Sequence, residues 1–189
     1  MKKRVGILGG TFNPVHNMHL FMANKVKEHY HLDEVRLMPT FIPPHKNSDE
    51  VIDGRWREKM LQLAVDDVDG LCVEPIELRK QEMRYSYDTM KELIEREPNT
   101  DFYFIIGGDM VASLSTWYRI DDLKQMVTFI GVERVGYDFE RSESIEYMTL
   151  PLMEMSSSYI RHEIAHHRSV RYLVPDNVLD YIEKEGLYQ

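Results

Sequence analysis

The chain has 189 residues, 43% of them hydrophobic and 29% charged, with a formal net charge of −9. That length suits one domain of the usual ~100–200 residues, and the composition is that of a globular protein, not a disordered or membrane-embedded one. The acidic balance removes any whole-molecule attraction for nucleic acid or an anionic membrane, no apolar run approaches a membrane span, and a single cysteine, Cys72, excludes an internal disulfide.

Residues 4–8 form a short apolar run ended by Gly9-Gly10, which predicts a buried strand and then a tight turn. The basic start at Met1-Lys2-Lys3-Arg4 is not followed by an unbroken apolar stretch, so no targeting segment is expected, and the unpaired cysteine fits a reducing cytoplasm. Leu20, Ala23, Val26 and Tyr30 recur at helical spacing over residues 19–30. Residues 35–38 predict a second strand closed by Pro39, and residues 40–53 a long loop of the kind that carries function. Met60, Leu61, Ala64 and Val65 mark a helix, and residues 71–73 a weak strand. Tyr87, Met90 and Ile94 share a helix face that stops before Pro98. Residues 102–106 are the clearest strand, ended by Gly107-Gly108. Residues 120–126 predict a helix, 128–132 a strand and 136–144 a polar loop. Ser156-Ser157-Ser158 precedes a short helix to about Ala165, and a last helix has Pro175 and Asp176 at its start and Gly186 as its stop. Cys72 and the twelve methionines are expected to fill core space.

Strands alternating with helices predict an α/β fold with a doubly wound parallel sheet, over one domain spanning residues 1–189 in which 156–189 form a C-terminal helical subregion. Ligands in such sheets bind beyond the carboxyl ends of the strands, where the informative loops fall.

The run Gly9-Gly10-Thr11-Phe12-Asn13-Pro14-Val15-His16-Asn17-Met18-His19 leaves a strand and enters a helix. Small residues there let backbone N–H groups approach a phosphate, and the helix N-terminus adds partial positive charge. The glycine spacing, Gly6, Gly9 and Gly10, does not fit the dehydrogenase fingerprint, and a Walker pattern is absent. His16 and His19, three apart, face the same way and could donate hydrogen bonds to a polyphosphate; the alternative is a pair of surface histidines at a helix cap. Such a pair could also chelate zinc, but no nearby Cys, Asp or Glu completes a ligand set, so no protein metal site is expected.

Pro43-Pro44 stiffens the long loop and presents His45 and Lys46. Ser156, Ser157, Ser158 and Arg161 offer a second anion cradle, with a plain serine N-cap as the alternative, and Arg134 is a weaker candidate for the same role. At Gly107-Gly108-Asp109 a nucleoside could lie against backbone with a carboxylate accepting its hydrogen bonds, unless Asp109 is simply an N-cap. Trp117 and Tyr118 could stack on a flat ring, with Ser86 and Tyr87 lining the same pocket; adjacent aromatics are otherwise core residues. His29, His31, His162, His166 and His167 read as surface residues.

The run at residues 9–19 resembles the signature of the nucleotidylyltransferase superfamily. Together with Met38-Pro39, Pro43-Pro44-His45-Lys46, Tyr85-Ser86-Tyr87-Asp88-Thr89, Gly107-Gly108-Asp109, Trp117-Tyr118, Ser156-Ser157-Ser158-Tyr159-Ile160-Arg161 and Tyr172-Leu173-Val174-Pro175-Asp176, it is similar to the bacterial nicotinate-mononucleotide adenylyltransferases over nearly the whole chain. The resemblance implies a Rossmann-like fold and a cytoplasmic enzyme of NAD biosynthesis that converts ATP and nicotinate mononucleotide to deamido-NAD and pyrophosphate, with Mg2+ carried by ATP. It implies catalytic roles for His16, His19 and Lys46. By the same likeness Gly9, Gly10, Thr11, Phe12, Gly107, Asp109, Arg134, Ser157, Ser158 and Arg161 bind ATP, and His45, Ser86, Tyr87, Trp117 and Tyr118 bind the mononucleotide.

The chain departs from the family pattern at Met18, where glycine is usual, at Ser86 and Ser158, where threonine is, at Arg84, where serine is common, and at Gly108, where alanine is. A nicotinamide mononucleotide, phosphopantetheine or cytidylyl substrate, a non-catalytic nucleotide sensor and a dehydrogenase remain as alternatives, and the chain is compatible with a monomer or a homo-oligomer. No paired carboxylates or nucleophilic triad are present, and the reaction needs none: a phosphate monoester, with a second pKa near ~6, is already an anionic nucleophile at neutral pH.

Overall fold

The structure, a computed structural model, describes residues 2–41, 51–80, 82, 84–134, 141–151 and 155–189. The chain runs β1 (Lys3–Gly10), α1 (Asn17–His29), β2 (Glu34–Pro39), α2 (Gly54–Val65), β3 (Leu71–Val73), α3 (Ile76–Lys80), α4 (Ser86–Arg96), β4 (Thr100–Gly107), α5 (Gly108–Ser113), α6 (Ile120–Met126), β5 (Thr128–Arg134), β6 (Ile145–Leu150), α7 (Ser157–Ala165) and α8 (Asp176–Glu185). The six strands form one parallel sheet in the order β3-β2-β1-β4-β5-β6. This is the doubly wound arrangement, in which the strand order reverses between β1 and β4.

Strand periodicity divides the core in two. Successive side chains on a strand point to opposite faces, so Leu8, Ile105 and Ile130 join one apolar cluster with Ala23 and Val26 of α1, Met60 and Leu61 of α2, Ile160 of α7 and Val178 and Ile182 of α8. Their neighbours Ile7, Phe104, Ile106 and Phe129 join the other, with Met90 and Leu93 of α4 and Leu123 of α6. Burial of each such side chain contributes roughly 1.5–3 kcal/mol. The first cluster includes the C-terminal helices, so α7 and α8 are packed onto the same face as α1.

Strand ends differ from the pattern-based expectation because ladder pairing, not apolarity, sets them. Gly9 and Gly10 pair with Met38 and Pro39, and Gly107 pairs with Val132, so these glycines end their strands instead of forming the turns that follow. Arg134 is likewise the last residue of β5, paired with Leu150, not a residue beyond the strand; its side chain lies outside the described residues. β6 has no counterpart in the sequence pattern: it is an edge strand whose two end residues alone are buried. α3 and α5, at five and six residues, are too short to show a period. Gly107, not Asp109, is the N-cap of α5, with Asp109 inside the first turn. Cys72 is half-buried on the edge strand β3, where burial pushes its thiol pKa up, and Met110 is exposed, so neither is core filler. The five histidines read as surface residues are all exposed. No helix among the described residues is long and apolar enough to cross a membrane.

Candidate active site

The loop after β1 is shaped by one close approach. A Cβ on Gly10 would sit 3.0–3.2 Å from the ring atoms of Phe12, which folds back beneath it with a left-handed backbone (φ 48°) and is almost fully buried. A non-glycine residue holds that conformation only where its surroundings over-determine it. The next residues supply those surroundings. The Asn13 carbonyl accepts from the Arg161 guanidinium (2.9 Å), its side-chain oxygen accepts from the Tyr188 hydroxyl (2.8 Å), and the Pro14 carbonyl accepts from the Ser157 hydroxyl (2.9 Å). From the other side, the Asn17 backbone N–H and side-chain amide donate to the carbonyls of Leu173 (2.9 Å) and Tyr172 (2.6 Å). The C-terminal region thus clamps the first loop across more than 140 residues of sequence.

Within that clamp the two histidines come together. His16 is the N-cap of α1, and its ring stacks on that of His19 with centroids 3.6 Å apart and planes 20° from parallel. The His16 backbone N–H donates to His19 Nδ1 (3.2 Å), and His19 N–H donates to the His16 carbonyl (2.9 Å). An acceptor at Nδ1 assigns the proton of a neutral His19 ring to Nε2. The His19 ring also meets the Phe12 ring edge-on at 4.9 Å. His16 is only 5% exposed, and burial lowers its pKa from 6.5 to about 4, with its own main chain pulling weakly the other way; it is therefore neutral at pH 7. Its Nδ1 is buried without a hydrogen-bond partner among the described residues. Such an atom costs ~1–3 kcal/mol unless something pairs with it.

Of the residues read as a second anion cradle, Ser156 is the N-cap, accepting from Tyr159 N–H (3.1 Å), so the capping alternative holds for that serine. Ser157 and Arg161 instead face the first loop through the bonds just described, and Arg161 also reaches the Ser158 hydroxyl (3.3 Å). Gly107 ends β4 on the same sheet edge as Gly10, and a Cβ there would meet nothing within 4 Å, which leaves open space beside the strand end. Asp109 is exposed on α5.

The aromatic residues form a separate ledge. Trp117 is half-buried, edge-on to Phe104 (5.9 Å) and Phe129 (6.4 Å). The Phe104 ring also lies 3.6 Å from where a Gly9 Cβ would stand, so one ring supports both regions. Tyr118 is exposed and tilted over Tyr85 at 4.6 Å; Tyr87 is buried, with the Arg119 guanidinium 4.1 Å above its ring. The core alternative therefore applies to Tyr87 and in part to Trp117, but not to Tyr118. Ser86 opens α4, half-buried beside Tyr85. Met18, in the family glycine's place, is half-buried on the first turn of α1. Pro43, Pro44, His45 and Lys46 lie outside the described residues. No group of three or more His, Cys, Asp or Glu side chains among the described residues is placed to hold a metal ion.

Sequence patterns do not pick out Tyr188, Thr40 or Arg57, all of which hold the first loop. The one available signal is Arg57 itself, a charged residue at helical spacing from the apolar Met60, Leu61 and Ala64.

Residues 7–163 match the family model described as cytidylyltransferase-like. Relatives from Streptococcus mutans and Streptococcus pneumoniae, each named "Probable nicotinate-nucleotide adenylyltransferase", are 52% identical over 188 and 187 residues, spanning 100% and 99% of this chain and 90% of their own length. The Plasmodium falciparum nicotinic acid mononucleotide adenylyltransferase complexed with NaAD superposes with a TM-score of 0.83 at 22% identity, covering 98% of this chain and 97% of its own. Its complex with APC gives 0.80 at 21% identity, with the same coverage. At those identities the structural likeness is one of fold, whereas the sequence relatives are close: the chain belongs to the cytidylyltransferase-like family and, within it, to the nicotinate-nucleotide adenylyltransferases.

Proposed function

We propose that this enzyme joins the AMP part of ATP to nicotinate mononucleotide, forming deamido-NAD and pyrophosphate in NAD biosynthesis. The observation that carries the reading is the stacked His16–His19 pair, held at a helix N-terminus directly after the strand end at Gly9-Gly10. The mononucleotide phosphate, already anionic, attacks the α-phosphorus of ATP in line. A new P–O bond forms as the bond to the bridging α–β oxygen breaks, and pyrophosphate leaves with that electron pair. Catalysis is then positioning plus stabilisation of charge on the phosphate oxygens.

In this scheme His16 and His19 donate hydrogen bonds to the polyphosphate, His19 from Nε2, with Lys46 and Arg161 adding positive charge and Thr11, Phe12 and Ser158 further donors. Gly9, Gly10 and Gly107 let nucleotide atoms lie against backbone, Asp109 takes a ribose or base hydrogen bond, and Arg134 lies at the neighbouring strand end. Trp117 and Tyr118 stack on the pyridine ring, with Ser86, Tyr87 and His45 around it. The donors gathered at the first loop are imidazoles, hydroxyls, amides and a guanidinium, whereas Mg2+ prefers oxygen ligands, so the ion would ride on the triphosphate and its waters, neutralising phosphate charge. The single cysteine fits a reducing cytoplasm, the partners are ATP and the mononucleotide, and a net charge of −9 offers no whole-molecule attraction for nucleic acid or an anionic membrane.

The test is purified protein with ATP, Mg2+ and each pyridine mononucleotide in turn, following pyrophosphate and dinucleotide together. Stoichiometric release with nicotinate mononucleotide is expected. ATP binding without pyrophosphate release would leave a nucleotide sensor, and preferential use of the amide would change the substrate.

A further inference from the structure

Arg57, near the start of α2, is among the most buried side chains of the protein, only 1% exposed. Its hydrogen bonds among the described residues all run to backbone carbonyls: Thr40 at 2.7 Å, Thr11 at 2.8 Å, Phe41 at 3.0 Å and Ile52 at 3.1 Å. Arg36, also buried, is built differently, with carboxylates of Glu34, Glu97 and Glu74 around it. A buried cation without a bonded carboxylate is costly, and a guanidinium is the cation whose rigid fan of donors can offset that cost with several carbonyls at once.

Those carbonyls come from three segments that meet at the first loop: the turn after β1, the residues after β2, and the residue ahead of the α2 cap. Thr40 adds two ties of its own, with its N–H (2.9 Å) and hydroxyl (3.4 Å) both on the Gly10 carbonyl. The peptide between Thr11 and Phe12 is trans, so the Thr11 carbonyl and the Phe12 N–H point in opposite directions. With the carbonyl drawn onto Arg57, the Phe12 N–H is turned to the far side of the loop.

We infer that Arg57 is a positioning residue for adenylyl transfer: by holding the Thr11 carbonyl from below, it keeps the Phe12 amide aimed at the ATP triphosphate. The inference rests on the adenylyltransferase reading above and adds to it a residue that touches no substrate. Three of its four carbonyl partners, Thr11, Thr40 and Phe41, belong to the turn after β1 and the residues after β2, not to α2.

The test compares Arg57→Lys and Arg57→Met with the wild type. Lysine keeps the charge but replaces the fan with a single point donor. Both variants are expected to lose kcat/KM for ATP, by about 10²-fold in Arg57→Met and less in Arg57→Lys, while KM for nicotinate mononucleotide stays unchanged. A variant that melts earlier yet keeps the wild-type kcat/KM for ATP per folded molecule overturns the proposal, because that is the behaviour of a purely structural residue. A second arm needs no variant. When a non-hydrolysable ATP analogue is added to isotope-labelled wild-type protein, the Phe12 amide resonance shifts and its hydrogen exchange slows. An unmoved Phe12 amide overturns the proposal even where Arg57→Met does not fold. Wild-type dinucleotide formation, measured beside these, reports on adenylyl transfer itself, so its failure is read separately from that of Arg57.

Discussion

The loop after β1 and the aromatic ledge at Trp117 and Tyr118 share the Phe104 ring as support, yet they are built by opposite means. Phe12, Asn13, Val15 and His16 are all buried, and the loop's carbonyls at Thr11, Asn13 and Pro14 are each taken by a side chain from elsewhere. The ledge is open: Tyr85 is 55% exposed and Tyr118 48%, and its contacts are ring on ring and guanidinium on ring. The difference follows from the work assigned to each. Stabilising charge that develops at one point requires donors fixed before the reaction begins. Holding a flat ring requires apolar area that loses water on binding, and that area tolerates looser geometry.

If this division is right, substitutions in the loop act on kcat and substitutions in the ledge on KM. The largest effect is expected from His19→Ala, which removes a preset donor: kcat should fall by ~10²–10³ with the fold intact by circular dichroism. Normal turnover in that variant would erase the distinction between the regions. Trp117→Ala should raise KM for the mononucleotide by ~5- to 150-fold, the equivalent of losing ~1–3 kcal/mol of stacking, with KM for ATP little changed. An equal rise for both substrates would count against a ledge dedicated to the pyridine ring.

The third expectation concerns pH. The folded His16 ring has its pKa lowered to about 4, against 6.5 ordinarily, so between these values the unfolded chain takes up a proton that the folded ring refuses. Stability should therefore be full above pH 6.5 and fall as pH drops towards 4. Urea midpoints across that range should show a steeper acid slope in the wild type than in His16→Asn. Smallest is Ser157→Ala, which frees the Pro14 carbonyl from its clamp: a loss of about 0.5–1.5 kcal/mol in urea unfolding, and a modest drop in kcat if the clamp serves the loop.

The two regions were also unequally legible in the sequence. β3 and α6 have the bounds that their apolar patterns predict, and α8 ends at Gly186, whose φ of 63° is the left-handed stop that a C-terminal glycine provides. His16 and His19 could be read as a pair because helical spacing is local. Arg57, by contrast, bonds to carbonyls 46, 17, 16 and 5 positions away, and only the first of these reaches the loop it holds. No periodicity registers such a bond. Ser157 and Arg161 were visible as anion donors by type, but their bonds to residues 143 and 148 positions distant exist only once α7 is packed beside α1. The ledge was ambiguous for another reason: adjacent aromatics look alike whether buried or open, and here Trp117 is half-buried while Tyr118 is open.

The most direct measurement is an NMR titration of the His16 imidazole in the free protein and again with a saturating ATP analogue. The free ring should titrate near pH 4, as burial dictates. A triphosphate held against it should favour the protonated form and carry the midpoint upward. Identical curves in the two states, or a free ring titrating like an exposed histidine, would contradict an active site built on the loop after β1.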